Sequence, residues 1–386
     1  MSLRILLCTH SPADGRTAVY RSQTTRAEYL RQQGHQVDVL TPADLMSIRL
    51  PRLDPFLLPV VLACRRLTRY DVVIFHSYLG WAFHALRFCL DPSKRVVTIT
   101  AFHGLEPLYL TALLKEAERT AQRLSWRFRL MHAALGVLLK LSCRRSAAIF
   151  CLNSLEADYL IRHRWANPER IHQIANGVEP ECFVDRDYTS SPKRILFIGQ
   201  WLAAKGTRYL VDAFIELAAA TDIELACVGT RAPSETVLAS FPPHVRTRVT
   251  VIPDVDRGEL QDQLSKADLF VFPSLSEGFS FALLEAMAAG LPIIATPAGA
   301  AVDILIDGSN ALVVPFADAI SIVAAVQRFC TDGPLRERLG TAARGAAARC
   351  MFASTAADFN AVLSGVANRH QTRHVSSIRA GEDVIS

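Results

Sequence analysis

Two doubly wound α/β domains, each built on a parallel sheet, are predicted by three observations. The chain has 386 residues, too many for one ordinary domain and about right for two of roughly 150 to 200 each. Short apolar runs alternate with amphipathic stretches twice over, the rhythm of βαβ units. Between the two rounds lies NGVEPECFVDRDYTSSPKR, Asn176 to Arg194, a polar stretch broken by Pro180 and Pro192 that reads as a linker. Both halves are therefore Rossmann-like, their sheets expected to face a central cleft.

In the first half the strands are expected at Arg4 to Cys8, Gln36 to Leu40, Asp71 to Phe75, Val96 to Thr100, Ala147 to Leu152 and Ile171 to Ile174. Helical patterns lie between them, such as Thr17 to Gln33, which stops at Gly34 as a helix C-terminus should. In the second half the strands are Ile195 to Ile198, Glu224 to Val228, Val249 to Ile252, Leu269 to Phe272, Pro292 to Ala295 and Ala311 to Val314. Helices are expected at Gly206 to Ala219, Asp256 to Leu264 and Phe281 to Ala289, then at 317 to 331, 334 to 348 and 355 to 367. The domain reading is 1–176, a linker at 177–192, a second domain at 193–350, and a C-terminal helix at 351–370 that packs back toward the first domain. HVSSIRAGEDVIS has no periodicity, and residues 371–386 are read as a disordered tail.

Composition narrows the class. Half the residues are hydrophobic and 20% are charged, as in soluble globular chains. The longest apolar run, Phe56 to Cys64, is half of a spanning helix and contains Pro59, so no span is expected. The start MSLRILLCTHSP reads as a first buried strand rather than a secretory leader. Nine scattered cysteines without a CxxC pair suggest reduced thiols and a cytoplasmic protein. The net charge of +5 hides an asymmetry: residues 1–192 carry +8 and residues 193–386 carry −3. A basic half suggests an anionic partner.

A nicotinamide cofactor is disfavoured, because CTHSPADGR and GQWLAAKG, the loops after the first and seventh strands, lack GxGxxG. The richest segment is ADLFVFPSLSEGFSFALLEAMAAGLPIIAT, Ala267 to Thr296. Here a strand ends, Glu277 and Gly278 open a helix, and Glu285 follows eight residues on, up to ~12 Å away at helical rise. Two carboxylates so spaced could bind hydroxyls at both ends of a nucleotide sugar, with the helix N-terminus toward its phosphates. The plainer alternative is that Glu277 complements the helix dipole and Glu285 is a surface residue.

SEGFSFALLEAMAAGLPIIAT resembles the signature of the retaining, nucleotide-sugar-dependent glycosyltransferases of family 4, whose E-x7-E and G-x-P fall on Glu277, Glu285, Gly290 and Pro292. GHQVDVL at Gly34, FHG at Phe102 to Gly104 and NGV at Asn176 to Val178 agree in order. The resemblance covers about residues 1 to 350 and implies a GT-B fold. It also implies that Glu285 holds the ribose hydroxyls, that Glu277 with the Gly278 and Phe279 backbone holds the transferred sugar, and that His103 lies near it. GQWLAAKG, Gly199 to Gly206, is similar to the family's phosphate loop: Lys205 keeps the lysine, but Gln200 stands at the arginine position. Asp303 is a minor departure from a glutamate.

The resemblance implies transfer of a sugar to an acceptor hydroxyl with retention; the basic first half suits an acceptor of polysaccharide or glycolipid synthesis, nothing in the sequence requires a metal, and no cofactor is expected. Two alternatives stay open: a nucleotide-sugar epimerase of the same fold, and an inactive sugar-nucleotide-binding subunit, which Gln200 makes conceivable. His76 and His10, ending the third and first strands, are further cleft candidates, though each alone is more often an interior histidine. Asp254-Val255-Asp256 matches a metal-binding D-x-D string, but Asp256 with Glu259 reads as a capping box. Residues 113–145 carry eight Lys/Arg against two Glu, interleaved with apolar residues in LSWRFRLMHAALGVLLKL. That pattern suits an anionic membrane surface near a lipid-linked or saccharide acceptor, or else an ordinary helix packed on the sheet. Nucleic acid is not expected as a partner.

Overall fold

The computed structural model describes residues 2–11, 18–46, 53–65, 67–91 and 95–382. The chain divides into two compact units, the first comprising Met1–Pro107, Leu124–Ile174 and Thr355–Ser386, the second Leu108–Arg123 and Ala175–Ser354. The first holds six parallel strands, β1 (Arg4–Cys8), β2 (Gln36–Leu40), β3 (Val72–His76), β4 (Val97–Ala101), β5 (Ala148–Cys151) and β6 (Ile171–Gln173), in the order β2-β1-β3-β4-β5-β6.

Because strand side chains alternate between faces, β1 builds two cores at once. Ile5 and Leu7 pack with Ala27 and Leu30 of the helix Ala18–Gln32 and with Phe359, Leu363 and Val366 of the C-terminal helix. Leu6 and Cys8 pack on the other face with Leu58 and Leu62 of the helix Asp54–Ala63 and with Phe83 of the helix Trp81–Leu90. β3, four apolar residues ending in His76, is buried throughout, as a strand covered on both faces must be. Gly34 closes the helix Ala18–Gln32 at φ +87°, the left-handed conformation that favours glycine.

The second unit repeats the plan with β7 (Arg194–Ile198), β8 (Glu224–Val228), β9 (Val249–Ile252), β10 (Leu269–Phe272), β11 (Ile293–Ala295) and β12 (Leu312–Val313), ordered β12-β11-β10-β7-β8-β9. Its core joins Ile195 and Phe197 to Phe214 and Leu217 of the helix Thr207–Ala220 and to Phe329 of the helix Ala319–Thr331.

Four expectations are corrected. The stretch expected to be a linker is pinned to the second unit: Arg186 donates to the carbonyls of Ala289 at 3.0 Å and Leu264 at 2.7 Å, and Tyr188 donates to that of Gly290 at 2.7 Å. The C-terminal helix runs Phe352–Glu382, so residues 371–382, read as a disordered tail, are helical, and 383–386 lie outside the described residues. The basic stretch 113–145 is two helices, Glu106–Arg119 and Trp126–Arg145, and Leu108–Arg123 groups with the second unit rather than with 1–176. Finally, of the two helix starts read from the sequence, Phe281 and Glu277, the structure takes Phe281, where Ser280 caps the helix by accepting from the Leu283 N–H at 3.3 Å.

Candidate active site

In the second sheet β7 and β10 are neighbours from which the order runs outward in opposite directions. The carboxyl ends of such a pair are where open α/β sheets bind ligands. The loop after β7 is Gly199 to Gly206, and that after β10 carries Glu277. The Leu275 N–H donates to the Ala204 carbonyl at 2.8 Å, stitching the two loops together.

Gly206 makes this approach feasible. It has φ +66°, and a Cβ placed there would stand 1.9 Å from the Pro273 carbonyl oxygen. Lys205, at the end of a single 3-10 turn, then places Nζ 2.5 Å from Glu277 Oε1, which also accepts from Ser274 Oγ at 2.8 Å. Two residues 72 positions apart in sequence, both singled out there, thus meet. Gln200 is exposed, and Gly199 has φ +156°.

The backbone of Glu277 and Gly278 is braced from below. Gly299 has φ +57°, and its Cβ would meet the Gly278 carbonyl oxygen at 2.4 Å, while the Ala300 N–H donates to that oxygen at 2.9 Å. Asn176, of NGV, is buried and donates from its amide to the Phe279 carbonyl at 3.4 Å. Glu285 is half-buried in the helix Phe281–Ala288. The Asp256–Glu259 capping box is formed in both directions, and Asp254 pairs with Arg231 at 2.7 Å. Among the described residues no group of three or more His, Cys, Asp or Glu is placed to hold a metal.

The first unit has its own cluster at the carboxyl ends of the adjacent strands β1, β3 and β4: His10, His76 and His103. The rings of His76 and His103 stack with centroids 4.5 Å apart at 13°. The Gln23 side-chain amide bridges them, with Nε2 at 2.9 Å from His103 Nε2 and in closer contact with His76 Nε2. Burial holds both imidazoles well below the usual histidine range, helped for His76 by His103, His10 and Arg26, and for His103 by Arg26 and His10. Both are therefore neutral near pH 7, one ring nitrogen a donor and the other an acceptor. Ser77 follows His76 at φ +56°, a costly conformation for a non-glycine residue, and donates to Glu106 Oε1 at 2.5 Å.

Gln23 and Arg26 were not singled out in the sequence. The signal for Gln23 was present, since it falls on the stripe that buries Ala27 and Leu30 and is itself buried.

Residues 21–181 match the family model described as Glycosyltransferase Family 4, and residues 192–332 match that described as Glycosyl transferases group 1. Over 232 residues the chain is 28% identical to an MMP alpha-(1->4)-mannosyltransferase of Mycolicibacterium hassiacum, covering 58% of this chain and 56% of the relative. Over 249 residues it is 28% identical to a D-inositol 3-phosphate glycosyltransferase of Xylanimonas cellulosilytica, covering 59% of each. The matches thus span under three fifths of these curated relatives. Among solved structures, a sucrose-phosphate synthase of Thermosynechococcus elongatus is similar with TM-score 0.77 at 20% identity, over 94% of this chain and 99% of that one. HepE of Anabaena, solved in complex with UDP, is similar with TM-score 0.69 at 15% identity, over 94% and 100%. At such identities these likenesses speak to fold.

Two six-stranded parallel α/β domains of this kind define the GT-B class. The chain belongs to glycosyltransferase family 4.

Proposed function

We propose that this protein is a retaining glycosyltransferase that moves a sugar from a nucleotide diphosphate sugar to an acceptor hydroxyl. The observation that carries the reading is the meeting of Lys205 and Glu277 at the carboxyl ends of β7 and β10. Lys205 is a mobile point charge suited to the leaving diphosphate. Glu277, oriented by Ser274 and Lys205, accepts from hydroxyls of the transferred sugar, and Glu285 accepts from the ribose. With Gln200 neutral, Lys205 and the backbone N–H groups of its loop carry the electrostatic stabilisation of the departing charge. No covalent enzyme nucleophile or metal enters this scheme, and the acceptor attacks the face that the diphosphate leaves. His103 is assigned a role as a neutral hydrogen-bonding group. HepE was solved with UDP and with UDP-glucose, which supports a nucleotide-sugar donor here.

The second unit is assigned the donor. The basic first half is assigned a saccharide or lipid-linked acceptor of polysaccharide or glycolipid synthesis, with the protein peripheral at the cytoplasmic face of a membrane. No helix among the described residues is long and apolar enough to cross one.

The test is thermal denaturation in the presence of UDP-, GDP- and ADP-sugars. A donor at about 100 times its Kd should stabilise by about 2.7 kcal/mol. If no donor stabilises the protein and none is turned over, the proposal fails.

A further inference from the structure

The geometry points to one face of the helix Trp126–Arg145 as a docking surface for an anionic lipid bilayer. This deepens the peripheral membrane location proposed above and rests on it. The basic stretch read from sequence spanned 113–145, but only its second helix presents a continuous outward stripe. Trp126 is 68% exposed, Leu130 61%, Val137 59% and Leu141 43%. Their spacings of four, seven and four residues set them along one side of the helix. The opposite side buries Leu135, Leu139, Ser142 and Cys143, and the hydroxyls of Ser142 and nearby Ser146 lie 3.2 and 2.7 Å from that of Thr100 on β4. The helix is thus anchored to the sheet by one side and leaves an apolar side uncovered. The helix Trp81–Leu90 packs beside it and carries the exposed Leu86.

Charge selects the occupant. The helix has no Asp or Glu, while Arg127, Arg129, Lys140 and Arg144 are solvent-accessible along it. A second copy of the chain would bring the same cations against themselves, an arrangement that like charges oppose. An anionic bilayer instead receives the apolar stripe below its headgroups and the cations among its phosphates, with Trp126 at the interfacial depth that tryptophan favours. Arg145 takes no part, because its guanidinium donates to the His84 carbonyl at 2.7 Å.

The experiment is flotation of the full chain with phosphatidylcholine vesicles containing about 30% phosphatidylglycerol, and with phosphatidylcholine alone, at about 0.15 M salt. The wild type should float only with the anionic vesicles. The variant Trp126→Ser, Leu130→Gln, Val137→Gln, Leu141→Gln should bind at least about tenfold more weakly, with an unchanged Tm because all four side chains are exposed. Arg129→Gln, Lys140→Gln, Arg144→Gln should bind at least about fivefold more weakly and with less dependence on salt. Ile320→Gln, at the 76%-exposed Ile320 of the second unit, should bind like wild type. If the wild type floats and both helix variants float equally well, the assignment to this helix is overturned while the membrane location stands. If the wild type does not float with anionic vesicles, both fall. A homodimer that dissolves only in the stripe variant, without vesicle binding by the wild type, would assign the stripe to a second copy and overturn the proposal.

Discussion

Gly206→Ala tests the close approach of the two loops at the candidate site. The added Cβ would stand 1.9 Å from the Pro273 carbonyl oxygen, and real Cβ atoms essentially never come within 3.0 Å of such a neighbour, so the chains must separate by about 1.1 Å. The φ of +66° adds the left-handed penalty of about 1 to 2 kcal/mol for a residue with a Cβ. With the backbone displacement, the total loss should be about 3 kcal/mol. In a domain of this size about 1 kcal/mol moves Tm by 2–4 °C, so the expected fall is about 6–12 °C. The control is Gly308→Ala, which has φ +67° and nothing within 4 Å of the added Cβ. It carries the conformational penalty alone, a fall of about 2–8 °C and smaller than that of Gly206→Ala. Gly206→Ala should also lose thermal protection by the nucleotide sugar, since the strand end that moves leads into the loop holding Glu277, and such a displacement costs about 100-fold. Equal Tm shifts in the two variants, with donor protection intact in both, would refute the close approach of the loops.

Lys205→Ala and Glu285→Ala should each lower sugar transfer at least about 100-fold, while Tm falls by no more than about 1–2 kcal/mol equivalent, because Lys205 is partly exposed; wild-type turnover in both would remove them from the site. Glu156 is buried, one of its carboxylate oxygens has no hydrogen bond, and burial lifts it from 4.5 to about 7. The folded state then holds its proton longer than the unfolded state, so stability falls as pH rises from about 4.5 to 7 and is level above that. Glu156→Gln should flatten this slope and raise Tm at pH 8 but not at pH 4, which Tm measured against pH will decide. His76 and His103 lie well below 6.5, so they are neutral when folded and lose stability to proton uptake by the unfolded state only as pH falls through 6.5. Their imidazole NMR signals should not titrate between pH 6.5 and 8; a midpoint in that range for either would contradict their burial.

Much of this architecture was legible because parallel strands announce themselves as short apolar runs. Glu224–Val228, Val249–Ile252 and Leu269–Phe272 begin and end where the sequence placed them. Bounds slipped by a residue or so where a run shades into its flanks, as at Val72–His76, since sheet pairing decides the last residue rather than hydrophobicity. The site was legible for a different reason. Lys205, Glu277 and Glu285 were singled out because they fall on positions of the family-4 signature, and of the three the structure brings Lys205 and Glu277 together.

What escaped the sequence depends on contacts between distant segments. Arg186 and Tyr188 look like linker residues, but they cap the free carbonyls at the ends of two helices, those of Leu264, Ala289 and Gly290. The helix after Glu277 starts at Phe281 because Ser280 rather than Glu277 supplies its cap, which leaves Glu277 in a loop where its carboxylate turns to Lys205 and Ser274. A carboxylate fixed in the first helical turn would spend its hydrogen bonds on the helix's own N–H groups. Displaced by a few residues, it is held by a lysine and a serine from two different loops, and those are bonds a ligand's hydroxyls can replace. The cap at Ser280 is thus what leaves the Glu277 carboxylate outside the helix, turned to Lys205 and Ser274. Moving the cap forward should therefore cost binding: Ser276→Asp with Ser280→Ala is expected to draw the helix start toward Glu277 and to weaken donor protection about tenfold or more. Unchanged protection in that variant, with the shifted helix start seen in its structure, would separate the position of the cap from the function of Glu277.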